Sequence, residues 1–248
     1  MYIVQKPTSY IWHLLALYGR KVSVLLLLLL AAPSVDAQQL NLPQYDTDRR
    51  LHFGFTLNGA YNNLQLNTSP DFFGIDTVKN ITVIPFYGFG LGAVVDYRLN
   101  KWFNLRFLGP TISFAQRNIQ YEFDSAVYNR DVQIESVYLD FPLELKFRAE
   151  RRKNTRFYSM VGIRYTYDLS SDQNAPRSLN DPVVALRPST FNWEVGIGLD
   201  MYLPFFKFSP EIKLSQSFNN VMVKDDFVYT KSINSLFSRI LTVSFHFE

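Results

Sequence analysis

The sequence predicts an all-β chain: an eight-stranded antiparallel up-and-down transmembrane β-barrel with a polar, plugged lumen, preceded by a cleaved signal peptide. Three observations predict it. Apolar and polar residues alternate with a period of two through eight segments. The best segments run to about 12 residues, longer than the five or six usual in a soluble sheet and enough for a tilted strand to cross a bilayer. Long and short connections alternate strictly along the chain.

Residues 1–37 read as the signal peptide. Arg20-Lys21 precede an apolar core of about 11 residues from Val22 to Ala32, and the small-residue site Val35-Asp36-Ala37 comes just before Gln38. That core is shorter than the roughly 20 residues a spanning helix needs. Residues 38–50, QQLNLPQYDTDRR, are a polar periplasmic lead-in, and 51–248 make the outer-membrane barrel.

The formal charge of +3 includes Lys6, Arg20, Lys21 and Asp36 of the leader, so the mature chain is left at +1, which is no nucleic-acid signal. The absence of cysteine excludes disulfides, thiolate metal sites, a cysteine nucleophile and a lipid-modified N-terminal cysteine. No nucleotide loop, metal-ligand spacing or nucleophile motif is present, so no cofactor, metal or small-molecule substrate is expected. Gly88-x-Gly90-x-Gly92 does not match a phosphate-binding fingerprint and reads as small residues facing a crowded lumen.

Strand one, Leu51 to about Leu66, sets Leu51, Phe53, Phe55, Leu57 and Tyr61 against His52, Gly54, Thr56, Asn58 and Asn62. After a long polar loop, strand two runs from Phe86 to Leu99, and Asn100-Lys101 make a short turn. Strand three starts with Phe103, Leu105 and Phe107. Gly109-Pro110 then interrupts it and the apolar parity becomes even at Ile112 and Phe114, the mark of a bulge. Strands four and five form the clearest pair. Val137, Leu139, Phe141, Leu143, Leu145 and Phe147 alternate with polar residues, Glu150 to Asn154 turn the chain, and the pattern resumes from Phe157 to Leu169. A loop of about 20 residues leads to strand six at Phe191–Tyr202, which turns at Leu203-Pro204-Phe205. Strand seven carries Phe206, Phe208, Ile212 and Leu214, and strand eight closes the chain with Leu241, Val243, Phe245 and Phe247.

Long connections follow strands one, three, five and seven, and short ones follow two, four and six. Bacterial outer-membrane barrels combine an even strand number with short periplasmic turns and long outer loops, which puts both termini in the periplasm. A soluble barrel would show the same alternation with its apolar face inward. However, the interior of eight strands is only just wide enough for side chains to fill, and the apolar parity carries some forty bulky residues. Those residues must face lipid.

The inward parity then holds Arg98, Arg106, Arg117, Asp140, Glu144, Lys146, Arg164, Asp168, Glu194, Asp200, Glu211 and Lys213, which read as a structural salt-bridge network plugging the lumen. A basic residue on the lipid face near midplane would cost roughly 2–4 kcal/mol. His52 opens strand one and His246 closes strand eight, so closure is expected to pair them at the barrel base, near Ser244 and Glu248. Ser244, His246 and Glu248 also offer the residue types of a lipid-modifying hydrolase, but a set at the periplasmic end faces away from outer-leaflet lipid. The turn Arg151-Arg152-Lys153 is either ordinary solvated charge or a docking surface for an acidic periplasmic partner.

Motifs spread over nearly all of the mature chain resemble the PorT family of outer-membrane proteins of Bacteroidetes. They include Leu42-Pro43-x-Tyr45-Asp46 with His52-Phe53-Gly54-Phe55, Tyr97-Arg98-Leu99 with Leu105-Arg106-Phe107, and Phe114-x-x-Arg117. Further on come Glu135-Ser136 with Phe141-Pro142-Leu143, Glu194-x-Gly196-x-Gly198-x-Asp200-x-Tyr202, Phe206-Lys207-Phe208-Ser209-Pro210-Glu211-x-Lys213, and Ser238-Arg239 with Ser244-Phe245-x-Phe247-Glu248. The resemblance implies a non-enzymatic component of type IX secretion, related to gliding, that is needed for cargo export and has other secretion components as periplasmic partners. It transfers no catalytic residue. The alternatives from other classes are an OmpA-like structural or adhesion barrel and a lipid-modifying barrel enzyme.

Overall fold

In the computed structural model the described residues are 49–68, 78–123, 130–170, 186–223 and 233–248. The segment read from sequence as a signal peptide, and that read as a lead-in up to residue 48, lie outside them. The eight strands are β1 (Leu51–Thr68), β2 (Val78–Arg98), β3 (Phe103–Phe123), β4 (Arg130–Arg148), β5 (Thr155–Asp168), β6 (Ser189–Tyr202), β7 (Lys207–Ser217) and β8 (Ile233–Phe247). Each pairs antiparallel with its sequence neighbour, and β8 returns to β1 to close the barrel.

Through most of each strand the apolar parity is on the outside, as the volume argument requires. Phe53, Tyr87, Phe89, Phe157, Ile163, Ile197 and Ile212 are all exposed, while the residues alternating with them are buried or half-buried. Aromatic rings gather at both edges of this band. One rim carries Phe55 stacked on Phe247 at 4.8 Å, Phe103 against Phe147 at 5.4 Å and Phe208 against Phe247 at 5.1 Å. The other carries Tyr61 with Tyr87 at 5.6 Å, Phe89 with Phe114 at 5.0 Å and Tyr165 with Phe191 at 5.0 Å. Such girdles mark the two interfaces of an outer-membrane barrel. The bulge expected at Gly109-Pro110 is present: the β3–β4 register shifts between Phe107 and Thr111, and Leu108 turns inward.

Strands two and four are longer than their alternation suggests. β2 begins at Val78 rather than Phe86, and β4 at Arg130 rather than after Gln133. The reason is an inversion of polarity. Beyond Tyr61 the outward residues of β1 become Asn63, Gln65 and Asn67, while Leu64 and Leu66 point inward. On β2 the register shifts between Pro85 and Phe89, after which Ile81 and Val83 face the interior and Thr82 is exposed. The 21 residues of β2 and β3 extend about 70 Å at ~3.3 Å each. At a tilt of about 40° they rise roughly twice the height of a 25 Å lipid band. One continuous wall is therefore a membrane barrel up to the Tyr61–Tyr87 level, and above it has a polar exterior around an apolar core.

Two segments read from sequence as loops complete that core. Leu186 bridges to Met222, Arg187 N donates to Val221 O at 2.8 Å, and Val221 N donates to Leu236 O at 2.9 Å. This packs Leu186, Val221 and Met222 against Leu64, Ile119, Ile233 and Leu236. The lumen is thus polar only in its lower part, and an apolar cap closes the long-loop end.

Candidate functional site

The inward side chains of the lower barrel form two sets of ion pairs joined through Tyr158. Arg106 is fully buried, and its guanidinium lies between Glu144 and Glu211, 2.6 Å from Glu144 Oε2 and in direct contact with Glu211 Oε2. Tyr158 closes the triangle, its hydroxyl donating to Glu211 Oε2 at 2.8 Å. Lys213 Nζ bridges Glu144 at 2.8 Å and Glu194 at 3.5 Å. Arg164 Nε links Glu194 at 3.4 Å to Asp140 at 3.7 Å. Nearer the short turns, Lys146 Nζ sits between Asp96 at 3.4 Å and Asp200 at 3.3 Å, 4.0 Å from the centre of the Tyr158 ring. Lys207 joins Asp96 to Glu248 at 3.8 and 2.7 Å.

Five cations thus meet seven carboxylates, and neutral donors satisfy further oxygens, while Glu211 Oε1 and Glu248 Oε1 accept no hydrogen bond among the described residues. Ser209 donates to Asp200 at 2.7 Å, Ser215 to Glu194 at 2.7 Å, Thr166 to Asp140 at 2.6 Å and Ser113 to Asp140 at 2.9 Å. Buried charges persist only when paired and hydrogen-bonded in this way. Glycines make the room: a Cβ at Gly198 would overlap the Tyr158 ring, and one at Gly196 would sit 2.8 Å from Ile212 O. Between the ionic layer and the apolar cap lies a cavity of about 50 Å³ bordered by Asn62, Thr111, Asp140, Arg164 and Thr242, with room for a few waters.

Most of the inward charges named from sequence come together here: Arg106, Asp140, Glu144, Lys146, Arg164, Glu194, Asp200, Glu211 and Lys213. Asp168 is buried higher up, where its carboxylate accepts from Ser170 N at 2.9 Å. Arg98 is half-buried at the lower rim and makes no side-chain ion pair among the described residues. Arg117 lies on β3 opposite Ile134, and its side chain is outside the described residues. Sequence reasoning missed Asp96, Tyr158, Lys207 and Glu248 as network members. All four share the inward parity of those chosen, so the same alternation could have found them.

The expected histidine pair does not form. His246 lies opposite Thr56, and His52 lies opposite Asp96, four residues further along β1. A barrel closes only with a stagger between its first and last strands, and the stagger carries the start of β1 past the end of β8. His246 is instead fully buried, with Nε2 3.6 Å from Glu211 Oε1. Ser244 is also fully buried, and neither its hydroxyl nor either His246 nitrogen makes a hydrogen bond among the described residues. Glu248, the third member of the hydrolase-like set, is held by Lys207.

At the short-turn end, Arg152 pairs with Thr155 through the backbone, and Lys153 takes φ 54° in the tight turn. Arg151 folds back, donating to Lys153 O at 2.8 Å and lying 4.1 Å over the Tyr202 ring, while Arg152 and Lys153 are exposed. Among the described residues no group of three or more His, Asp and Glu is placed to hold a metal ion.

The sequence model described as "Outer membrane protein beta-barrel domain" matches residues 37–223. Among solved structures, similar chains include the outer membrane protein OprG from Pseudomonas aeruginosa (12% identity, 78% of this chain and 92% of that chain, TM-score 0.41). Neisserial surface protein A is another (10% identity, 80% and 98%, TM-score 0.38). So is Ail, the attachment invasion locus protein of Yersinia pestis (11% identity, 80% and 99%, TM-score 0.37). Among curated proteins none matches the sequence.

Proposed function

The chain belongs to the outer membrane protein β-barrel domain family, and from that premise we propose that this Gram-negative outer-membrane barrel is a non-enzymatic component of type IX protein secretion, acting through contact with other proteins. The observation that carries a contact role is the filled lumen. Arg106, Glu144, Lys146 and Glu211 are buried across its lower part, and the apolar cap lies over its upper part, so cargo has no passage through this barrel. A barrel that conducts nothing works through its two ends. The secretion role itself rests on the ordered motifs shared with the PorT family. The non-enzymatic reading is supported by the burial of Ser244 and His246, which puts both out of reach of a lipid substrate.

A second reading, a structural or adhesion barrel of the outer surface, is favoured by one observation. The wall of β1 to β4 continues beyond the membrane band with a polar exterior, and that surface is available to an outside ligand.

Deleting the gene and following a type IX cargo through cell fractions tests the proposal. Cargo is expected to accumulate in the periplasm with its sorting domain uncleaved, and to be exported again when the gene is restored. Normal export in the deletion strain would overturn the secretion role and turn attention to the outer wall.

A further inference from the structure

The short-turn end of the barrel gathers positive charge that no single stretch of sequence displays. Arg50 precedes β1, Arg98 ends β2, Lys101 lies in the turn before β3, Arg151 to Lys153 lie between β4 and β5, and Arg156 opens β5. Closure places them on one end: Arg98 N donates to Arg50 O at 2.8 Å, Arg148 N to Trp102 O at 2.7 Å, and Tyr202 N to Asn154 O at 2.8 Å. Among the described residues little negative charge opposes them. Glu150 faces Lys101 at 3.7 Å in an exposed pair, and Glu248 is held by Lys207. The side chains of Arg50, Arg98, Arg152 and Lys153 make no ion pair or hydrogen bond among the described residues.

Parity separates two kinds of anionic partner. Lipid headgroups surround a barrel, so they would meet cations on the outward parity, beside the girdle. That perimeter holds Trp102, Phe147 and Phe157, and Lys101, whose Nζ lies 4.9 Å over the Trp102 ring, is already paired with Glu150. Arg98 is on the inward parity of β2, and Arg50 is bonded to it through the backbone, so these charges border the mouth of the lumen. Asp96, two residues from Arg98 along β2, is already shared by Lys146 and Lys207. The charge is therefore presented along the barrel axis, toward a partner that approaches end-on.

We propose that this end plate is the docking surface for a carboxylate-rich segment of a periplasmic protein. The inference deepens the contact role given above and rests on it for the orientation of the barrel. Charged end-on contacts of this kind set association rate and partner choice, and weaken with salt.

The test replaces Lys153 with a photoreactive residue, Lys153→benzoylphenylalanine, in the full-length protein expressed in its own host, and maps the crosslinked peptide by mass spectrometry. The expected result is a protein adduct through a peptide of net negative charge. Its yield should fall roughly tenfold or more with Arg50→Glu plus Arg152→Glu, while heat-modifiable gel mobility shows the barrel still folded. An adduct only to lipid, to residues 38–48 of the chain itself, or to a neutral or basic peptide would overturn the proposal. So would no adduct, or one indifferent to the charge reversal. Cargo export measured in the same strains keeps the two readings apart. An acidic, charge-dependent adduct with normal export upholds the docking surface and removes the secretion role, whereas lost export without such an adduct does the reverse.

Discussion

Replacing Arg106 with alanine is expected to destabilise the folded barrel by about 3–5 kcal/mol, the usual cost of removing one partner from a buried charge set. Arg106 is the residue both Glu144 and Glu211 depend on, and all three are fully buried. Without it Glu144 keeps only Lys213, and Glu211 keeps the Tyr158 hydroxyl and the more distant His246. Urea unfolding in liposomes, followed by tryptophan fluorescence and gel mobility, measures the change. Arg106→Lys should recover part of the loss, because it restores the charge but not the planar fork that reaches both carboxylates. The exposed pair Lys101–Glu150 gives the scale for comparison: breaking a pair of that kind costs ~0–1 kcal/mol. An Arg106→Ala barrel no weaker than a Lys101→Ala barrel would mean that the lumen charges hold nothing together.

The second large effect is expected on the outer face. Val161 lies on the outward parity of β5, exposed and midway between the girdle residues Phe157 and Tyr165. Val161→Arg should cost roughly 2–4 kcal/mol, whereas the same charge at Phe157, near the interface, should cost about 0–1 kcal/mol. This depth dependence separates a membrane barrel from a soluble one, because in water both arginines would be tolerated equally. The same unfolding assay reads both variants.

The two effects reflect what alternation can reveal. Where β4, β5, β6 and β7 cross the membrane, a period of two with large apolar residues on one parity and Asp, Glu, Lys and Arg on the other leaves one arrangement for an eight-stranded barrel, and the structure has it. The bulge at Gly109-Pro110 was equally legible, because it shifts the apolar parity in β3 itself. Three features were not legible, each for a physical reason. The outer ends of β2 and β4 follow the opposite rule, polar outside and apolar inside, so a pattern tuned to lipid-facing residues ends at Phe86 and Val137. The burial of Leu186, Val221 and Met222 depends on segments 35 residues apart meeting in the barrel mouth, which no local pattern reports. The displacement of His52 from His246 depends on the stagger of the closed sheet, a property of all eight strands together. Within the ionic layer the sequence shows which residues face inward, but the pairing of Arg106 with Glu144 on the adjacent strand and Glu211 across the lumen is set by the closed geometry.

The inversion of polarity along one strand is also where the account is most exposed to test. Nitroxide labels placed singly from position 53 to position 67 of β1, in protein reconstituted into lipid, can be probed with oxygen, which concentrates in the bilayer, and with a water-soluble nickel chelate. Odd positions from 53 to 61 are expected to collide with oxygen and odd positions from 63 to 67 with nickel. Even positions throughout should be shielded from both. Nickel access at Leu57, or oxygen access continuing through Gln65, would contradict a lipid-facing band that ends at Tyr61 and a wall that continues beyond it in water.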